Sequence, residues 1–369
     1  MKKSVITLAL VLVIALLTGC AGTPVVYYTN CTCPVDHAAT TPAETTPVDS
    51  VPVTTAPVES TPTVEGAVKT GIAIVASAGE SKQAGDADGE AKYDVSIVAV
   101  TVDDNGVIQS CVIDSIGTSV MFDVHGNIVS DLAAAIQTKN ELGDAYNMKL
   151  YGGAVAEWYE QAAALASFAE GKTIEELKSG AVGETGYAQD ADLATTATIY
   201  LGGYVSAIET AVNNAQHLGA QSGDELKLAI IPGVSSSKPA DAENEGLAQL
   251  DVDAVALTLN GGVITSAQID SVQAKVAFDV TGTITTDLSG YFQTKNQLGE
   301  AYGMVAWAGA IAEWNEQAAS FCAYITGKTP AEVSGIAIDE GTKPTDADLA
   351  TSVTIAIGGF QALIAKACN

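Results

Sequence analysis

Residues 190–215, DADLATTATIYLGGYVSAIETAVNNA, return at residues 346–368 as DADLATSVTIAIGGFQALIAKAC. The two stretches lie 156 positions apart, and the offset holds well beyond them. Gln137-Thr138-Lys139-Asn140 recurs as Gln293-Thr294-Lys295-Asn296, Glu157-Trp158 as Glu313-Trp314, and Gly171-Lys172-Thr173 as Gly327-Lys328-Thr329. Solenoid repeats run about 20 to 50 residues, so a period this long means two duplicated globular domains. The boundaries read 67–222 and 223–369.

Each unit opens in β-structure. Gly71 to Ser77, Val95 to Val102 and Val107 to Ile113 are rich in Val and Ile, with Asp103-Asp104-Asn105-Gly106 as a turn. The second unit has Val255 to Leu259 and Val263 to Ile269 around Asn260-Gly261-Gly262. A further short hairpin is predicted at Phe122-Asp123-Val124 with His125-Gly126, and again at Phe278-Asp279-Val280 with Thr281-Gly282. The middle of each unit turns helical: Val155, Trp158, Ala162, Leu165 and Phe168 mark one buried face, and Ile311, Trp314, Ala318, Phe321 and Tyr324 repeat it. Gly171 and Gly327 stand where a C-cap belongs. Thr173 with Glu176 and Thr329 with Glu332 have capping-box spacing, Pro330 taking the first helical position. The fold class that follows is α+β: two homologous domains, each an antiparallel β-meander packed with helices, after a disordered tether.

The tether is residues 20–66, rich in Thr, Pro, Val and Ala, with prolines at 24, 34, 42, 47, 52, 57 and 62. Before it, Lys2 and Lys3 precede an apolar run from Val5 to Leu17 that is short for a bilayer span, and Leu17-Thr18-Gly19-Cys20 follows. This resembles the lipobox of bacterial lipoproteins. The resemblance implies that residues 1–19 are a signal peptide, that Cys20 is acylated, and that the chain is held on the extracytoplasmic face of the cell membrane through several acyl chains.

Charge and motif content exclude several functions. With 16 Lys+Arg against 44 Asp+Glu, the net charge is −28, the wrong sign for nucleic acid or an anionic lipid surface. Six cysteines are too few for a disulfide scaffold of 369 residues. Gly171-Lys172-Thr173 resembles the end of a phosphate loop, but Ala166 and Cys322 replace its first Gly, and a helix-to-helix connection accounts for it. Asp86-Ala87-Asp88 and Asp241-Ala242-Glu243 open like calcium loops, yet from Asp241 the twelfth position is Val252, which suits solvated acidic loops. His37, His125 and His217 are not paired at metal spacing, Cys31 and Cys33 have only His37 beside them, and no metal ligand set is assigned. No nucleophile elbow or zinc-protease motif occurs, so no catalytic residue is assigned and the chain reads as a non-enzyme. Trp158 and Trp314 serve as core anchors or as platforms for a planar ligand. Cys322 and Cys368, which only the second unit carries, form a disulfide or remain two buried thiols.

The repeated stretch itself has three readings. Thr195 to Leu201 has the composition of a strand, followed from Gly203 by an amphipathic closing helix, and the Gly-Gly pair also fits a hairpin. In addition, Asp192-Leu193-Ala194-Thr195-Thr196-Ala197-Thr198 and Asp348-Leu349-Ala350-Thr351-Ser352-Val353-Thr354 are similar to the pattern D-x-x-[ST]-G-A-[ST] of FMN-binding domains found in extracytoplasmic electron-transfer proteins. Thr196 and Ser352 replace the pattern's Gly, and Val353 its Ala. The resemblance implies FMN as cofactor, a flavin transferase as partner, Thr198 and Thr354 as phosphoester acceptors, and Asp192, Thr195, Asp348 and Thr351 as their motif neighbours. The competing expectation is a non-redox surface binding or scaffold lipoprotein in which these positions have become structural.

Overall fold

The structure, a computed structural model, describes residues 66–368. The expected signal peptide, Cys20, and Cys31, Cys33 and His37 of the expected tether lie outside the described residues.

Two antiparallel meanders form the centre. In the first, β1 (Lys69–Ser77), β2 (Gly89–Val102) and β3 (Ile108–Phe122) pair in chain order; in the second, β4 (Glu225–Gly233), β5 (Gly246–Asn260) and β6 (Val263–Phe278) do the same. Register pairs Val98 with Ile113 and Val255 with Ile269. The strands outrun their expected lengths because both faces are buried, so alternation is masked by near-continuous apolar sequence. On β2, Tyr93, Val95 and Ile97 face the other sheet, while Val98, Val100 and Val102 face helices. β4 was missed altogether: Glu225 and Lys227 interrupt its apolar run.

The helices are α1 (Lys139–Leu142), α2 (Met148–Gly152), α3 (Trp158–Ala169), α4 (Ile174–Ala181), α5 (Ala191–Thr196) and α6 (Gly202–Asn213) in the first repeat. The second has α7 (Lys295–Leu298), α8 (Met304–Ala308), α9 (Trp314–Ile325), α10 (Pro330–Ser334) and α11 (Gly358–Ala367). Among the described residues the layers run helix, sheet, sheet, helix. Each repeat has a core between its sheet and its helices, and the two share a third between the sheets. The described residues, 66–368, thus form one compact unit in which the expected domains share a face.

The shared face has pseudo-two-fold symmetry. Phe122 and its counterpart Phe278 stack on each other at 4.1 Å with their planes 6° apart. Ala84 N–H donates to Gly282 O and Ala240 N–H to Gly126 O, each at 2.8 Å, which is one contact and its mirror. Gly89 and Gly246 are required here, since a Cβ on either would lie 2.3 Å from a ring carbon of Phe122 or Phe278.

Three sequence expectations need correction. Thr195 to Leu201 is not a strand: Asp190 accepts the N–H groups of Asp192 and Leu193, and the Thr195 and Thr196 hydroxyls donate back to Asp192 O and Leu193 O. These local bonds close a turn of helix where the β-branched residues find no partner strand. Gly202-Gly203 opens α6 and is no hairpin. Val155 and Ile311 precede α3 and α9 and are exposed, because Glu157 and Glu313 take the N-cap positions after them.

The remaining readings fare as follows. Both short hairpins close, through the Phe122–Ile128 and Phe278–Ile284 bridges. The capping boxes of Thr173 and Thr329 form, with Pro330 at the start of its helix. Gly171 and Gly327 have φ of 77° and 86°, and Lys172 Nζ donates to Phe168 O, so the phosphate-loop look-alike is a helix connection. Cys322 and Cys368 are free thiols.

Candidate functional site

Each repeat builds the same polar cluster at the start of its central helix. Gln161 on α3 is wholly buried, as is Gln317 on α9. The Gln161 Nε2 donates to Ala156 O at 2.8 Å, which orients the amide so that Oε1 points at the repeated stretch. That oxygen accepts from Thr198 N at 2.7 Å, Ile199 N at 3.1 Å and the Thr198 hydroxyl at 3.3 Å. In the second repeat Gln317 Oε1 accepts from Thr354 N at 2.8 Å and the Thr354 hydroxyl at 3.2 Å. Two short N–H bonds occupy the lone pairs of Gln161, so the Thr198 hydroxyl is held weakly.

Beside the glutamine, the buried Glu157 carboxylate accepts from Met148 N and Lys149 N at 2.7 and 3.2 Å, and Glu313 treats Met304 N and Val305 N alike at 2.8 and 3.0 Å. A carboxylate at the orphan N–H groups of a helix start is favourable. Trp158 and Trp314 are core residues, packed edge-on against Tyr204 and Phe360. Their outer faces are taken by lysine: Lys139 Nζ lies 5.1 Å from the Trp158 ring centroid and Lys295 Nζ 4.7 Å from that of Trp314. Burial pushes the Lys295 ammonium below the usual lysine range.

The repeated Gln-Thr-Lys-Asn motif thereby acquires a structural account. Asn140 Nδ2 donates to Ile113 O and Asn140 N to the buried Asp114; Asn296 does the same with Ile269 O and Asp270. Burial raises the carboxyls of Asp114 and Asp270, the latter to about 6, while bonds from Thr294, Ser271 N and Asn296 N pull the other way. The lysine-over-tryptophan pairs and the buried glutamines were missed in the sequence, where only their identical spacing in both repeats marked them.

Of the six residues of the FMN-like pattern, only Thr198 and Thr354 join the buried cluster. Asp192, Thr195, Asp348 and Thr351 lie on the exposed side, where the Thr195 and Thr351 hydroxyls donate at 2.7 Å to Asp192 O and Asp348 O. An open groove of about 430 Å³ runs past Thr195 and Thr196, bordered by Val155 and Glu160. Thr198 is exposed and Thr354 half-buried. The positions that replace the pattern's Gly carry no left-handed backbone: Thr196 is helical and Ser352 has φ of −120°.

No family model matches the chain, and no curated protein or solved structure matches it.

Proposed function

We propose that this chain is a lipid-anchored protein of the extracytoplasmic face that carries flavin at two equivalent hydroxyls, Thr198 and Thr354, and relays electrons without catalysis of its own. One observation carries the reading: Thr198 is exposed and Thr354 half-buried, and the two hydroxyls sit on equivalent buried glutamines, at 3.3 and 3.2 Å from the amide oxygen. The transferase takes FMN from a flavin dinucleotide: the donor's phosphoanhydride P–O bond breaks, an O–P bond forms at the threonine oxygen, a nucleoside monophosphate leaves, and the hydroxyl proton passes to solvent. The cost within the protein is one long hydrogen bond, since the backbone N–H bonds to Gln161 and Gln317 remain. The backbone at Thr196 and Ser352 suits L-residues, so the lost Gly imposes no strain there. Anchoring rests on the lipobox resemblance at Cys20, and the protein partner the reading requires is a flavin transferase.

Co-expression of the chain with and without a flavin transferase tests it. The expected result is a yellow protein only with the transferase. A colourless protein under both conditions, to which added FMN and riboflavin do not bind, overturns the reading and leaves the non-redox binding or scaffold protein.

A further inference from the structure

Thr198 and Thr354 share one lock but not one neighbourhood. Two residues beyond Thr198 stands Tyr200, whose Cα lies within about 7.6 Å of that of Thr198 by covalent geometry alone. Tyr200 is 56% exposed and meets Tyr187, 51% exposed, edge to face, with ring centroids 5.8 Å apart and planes at 90°. The Tyr200 ring is fixed although it is open to water, because it lies against bare backbone. A Cβ on Gly186 would fall 2.1 Å from Tyr200 Cε2, and one on Gly202 2.9 Å from the Tyr200 hydroxyl oxygen. Among the described residues nothing bonds that hydroxyl.

The fold itself does not require these rings. In the second repeat Thr342 stands for Gly186, Lys343 for Tyr187 and Ala356 for Tyr200, on the same backbone: Leu201 N donates to Gly186 O and Ile357 N to Thr342 O, both at 2.8 Å. There the Thr342 side chain closes on the start of α11, 3.1 Å from where a Cβ of Gly358 would be. It does so at φ of 58°, an unfavourable conformation for a β-branched residue. A small side chain on strained backbone thus fills the space that Tyr200 fills beside Gly202. Packing accounts for a filler at this point, but not for two exposed rings beside Thr198.

Two aromatic rings held in place and half open to water suit a flat ring system, which stacks on one face and meets the edge of the other. A ribityl phosphate sets a flavin ring several ångströms from the oxygen that carries it, the distance at which Tyr200 stands from Thr198. We infer that the flavin ring carried by Thr198 stacks on Tyr200, and that the one carried by Thr354, beside Ala356 and Lys343, has no such contact. The inference rests on flavin attachment at the two threonines.

Chains bearing a single flavin test it. Made together with a flavin transferase, Thr354→Val carries FMN on Thr198 alone and Thr198→Val carries it on Thr354 alone. Intact mass reads attachment. Flavin emission reads the contact, because a phenol touching the excited ring gives it an electron, takes it back and so quenches it. At equal added mass, the Thr354→Val chain is expected to have lost most of its emission and the Thr198→Val chain to be bright. Adding Tyr200→Phe to the Thr354→Val chain keeps a ring on Gly186, removes the phenol and should raise the emission towards that of the other chain. Tyr200→Leu should do the same, with a thermal melt as the check on folding. The reverse exchange, Ala356→Tyr with Thr342→Gly, should dim the flavin on Thr354. Added mass with equal emission from the two chains, or emission unmoved by Tyr200→Phe, overturns the inference and leaves flavin attachment standing. No added mass on the Thr354→Val chain overturns attachment at Thr198, and this inference with it.

Discussion

At the scale of single residues, the buried glutamines carry more structural weight than the threonines they hold. Gln161→Leu strands Thr198 N, Ile199 N and Ala156 O without partners and is expected to cost about 2–4 kcal/mol in urea denaturation. Thr198→Val gives up one weak bond at an exposed residue and should cost less than about 1 kcal/mol. Equal costs for the two would mean that the hydroxyl, too, is part of the packing. Asp270 adds a pH signature. Its carboxyl holds its proton up to about 6, above the ordinary carboxylate range, so the folded chain binds that proton more tightly than the unfolded one. Stability contributed at this site therefore falls as pH rises through the interval from about 4 to about 6. Asp270→Asn should gain on the parent by on the order of 2–3 kcal/mol between those limits, in paired denaturation curves at pH 4 and 7.

At the scale of elements, what could be read in advance was what local chemistry dictates. Thr173 with Glu176, and Thr329-Pro330 with Glu332, specify helix starts through bonds within four residues, and both starts appear where expected. The stretch from Thr195 to Leu201 could not be assigned this way. Its β-branched composition suits a strand, and whether a neighbouring strand exists to pair with it is settled by the rest of the fold. The long strands were under-read for a related reason: Tyr93 and Val98 are apolar on opposite faces, and only the packing of two sheets explains why both are buried. Gly89 and Gly246 show how tightly the strands meet. Gly89→Ala and Gly246→Ala each place a methyl against a stacked phenylalanine and are expected to cost about 1–3 kcal/mol, by similar amounts, in thermal unfolding. A large cost at one and none at the other would contradict the symmetry of that contact.

At the scale of the whole molecule, the sequence repeat was legible as an offset of 156, whereas the joining of the two repeats through one core was not. No motif announces that Phe122 stacks on Phe278. A lone first repeat, residues 67–222, leaves Ile72, Ile97 and Phe122 uncovered and is expected to sediment as a dimer, with two copies of Phe122 taking the place of the native pair. A stable monomer would show that each sheet is sufficient alone. The same symmetry gives the functional proposal its sharpest form, because two equivalent hydroxyls should behave alike. Peptide mass mapping of the chain made together with a flavin transferase reads this directly. The account predicts FMN on the peptide containing Thr198 and on the peptide containing Thr354, each lost on substitution of its own threonine by valine. Unmodified peptides at both positions would contradict it.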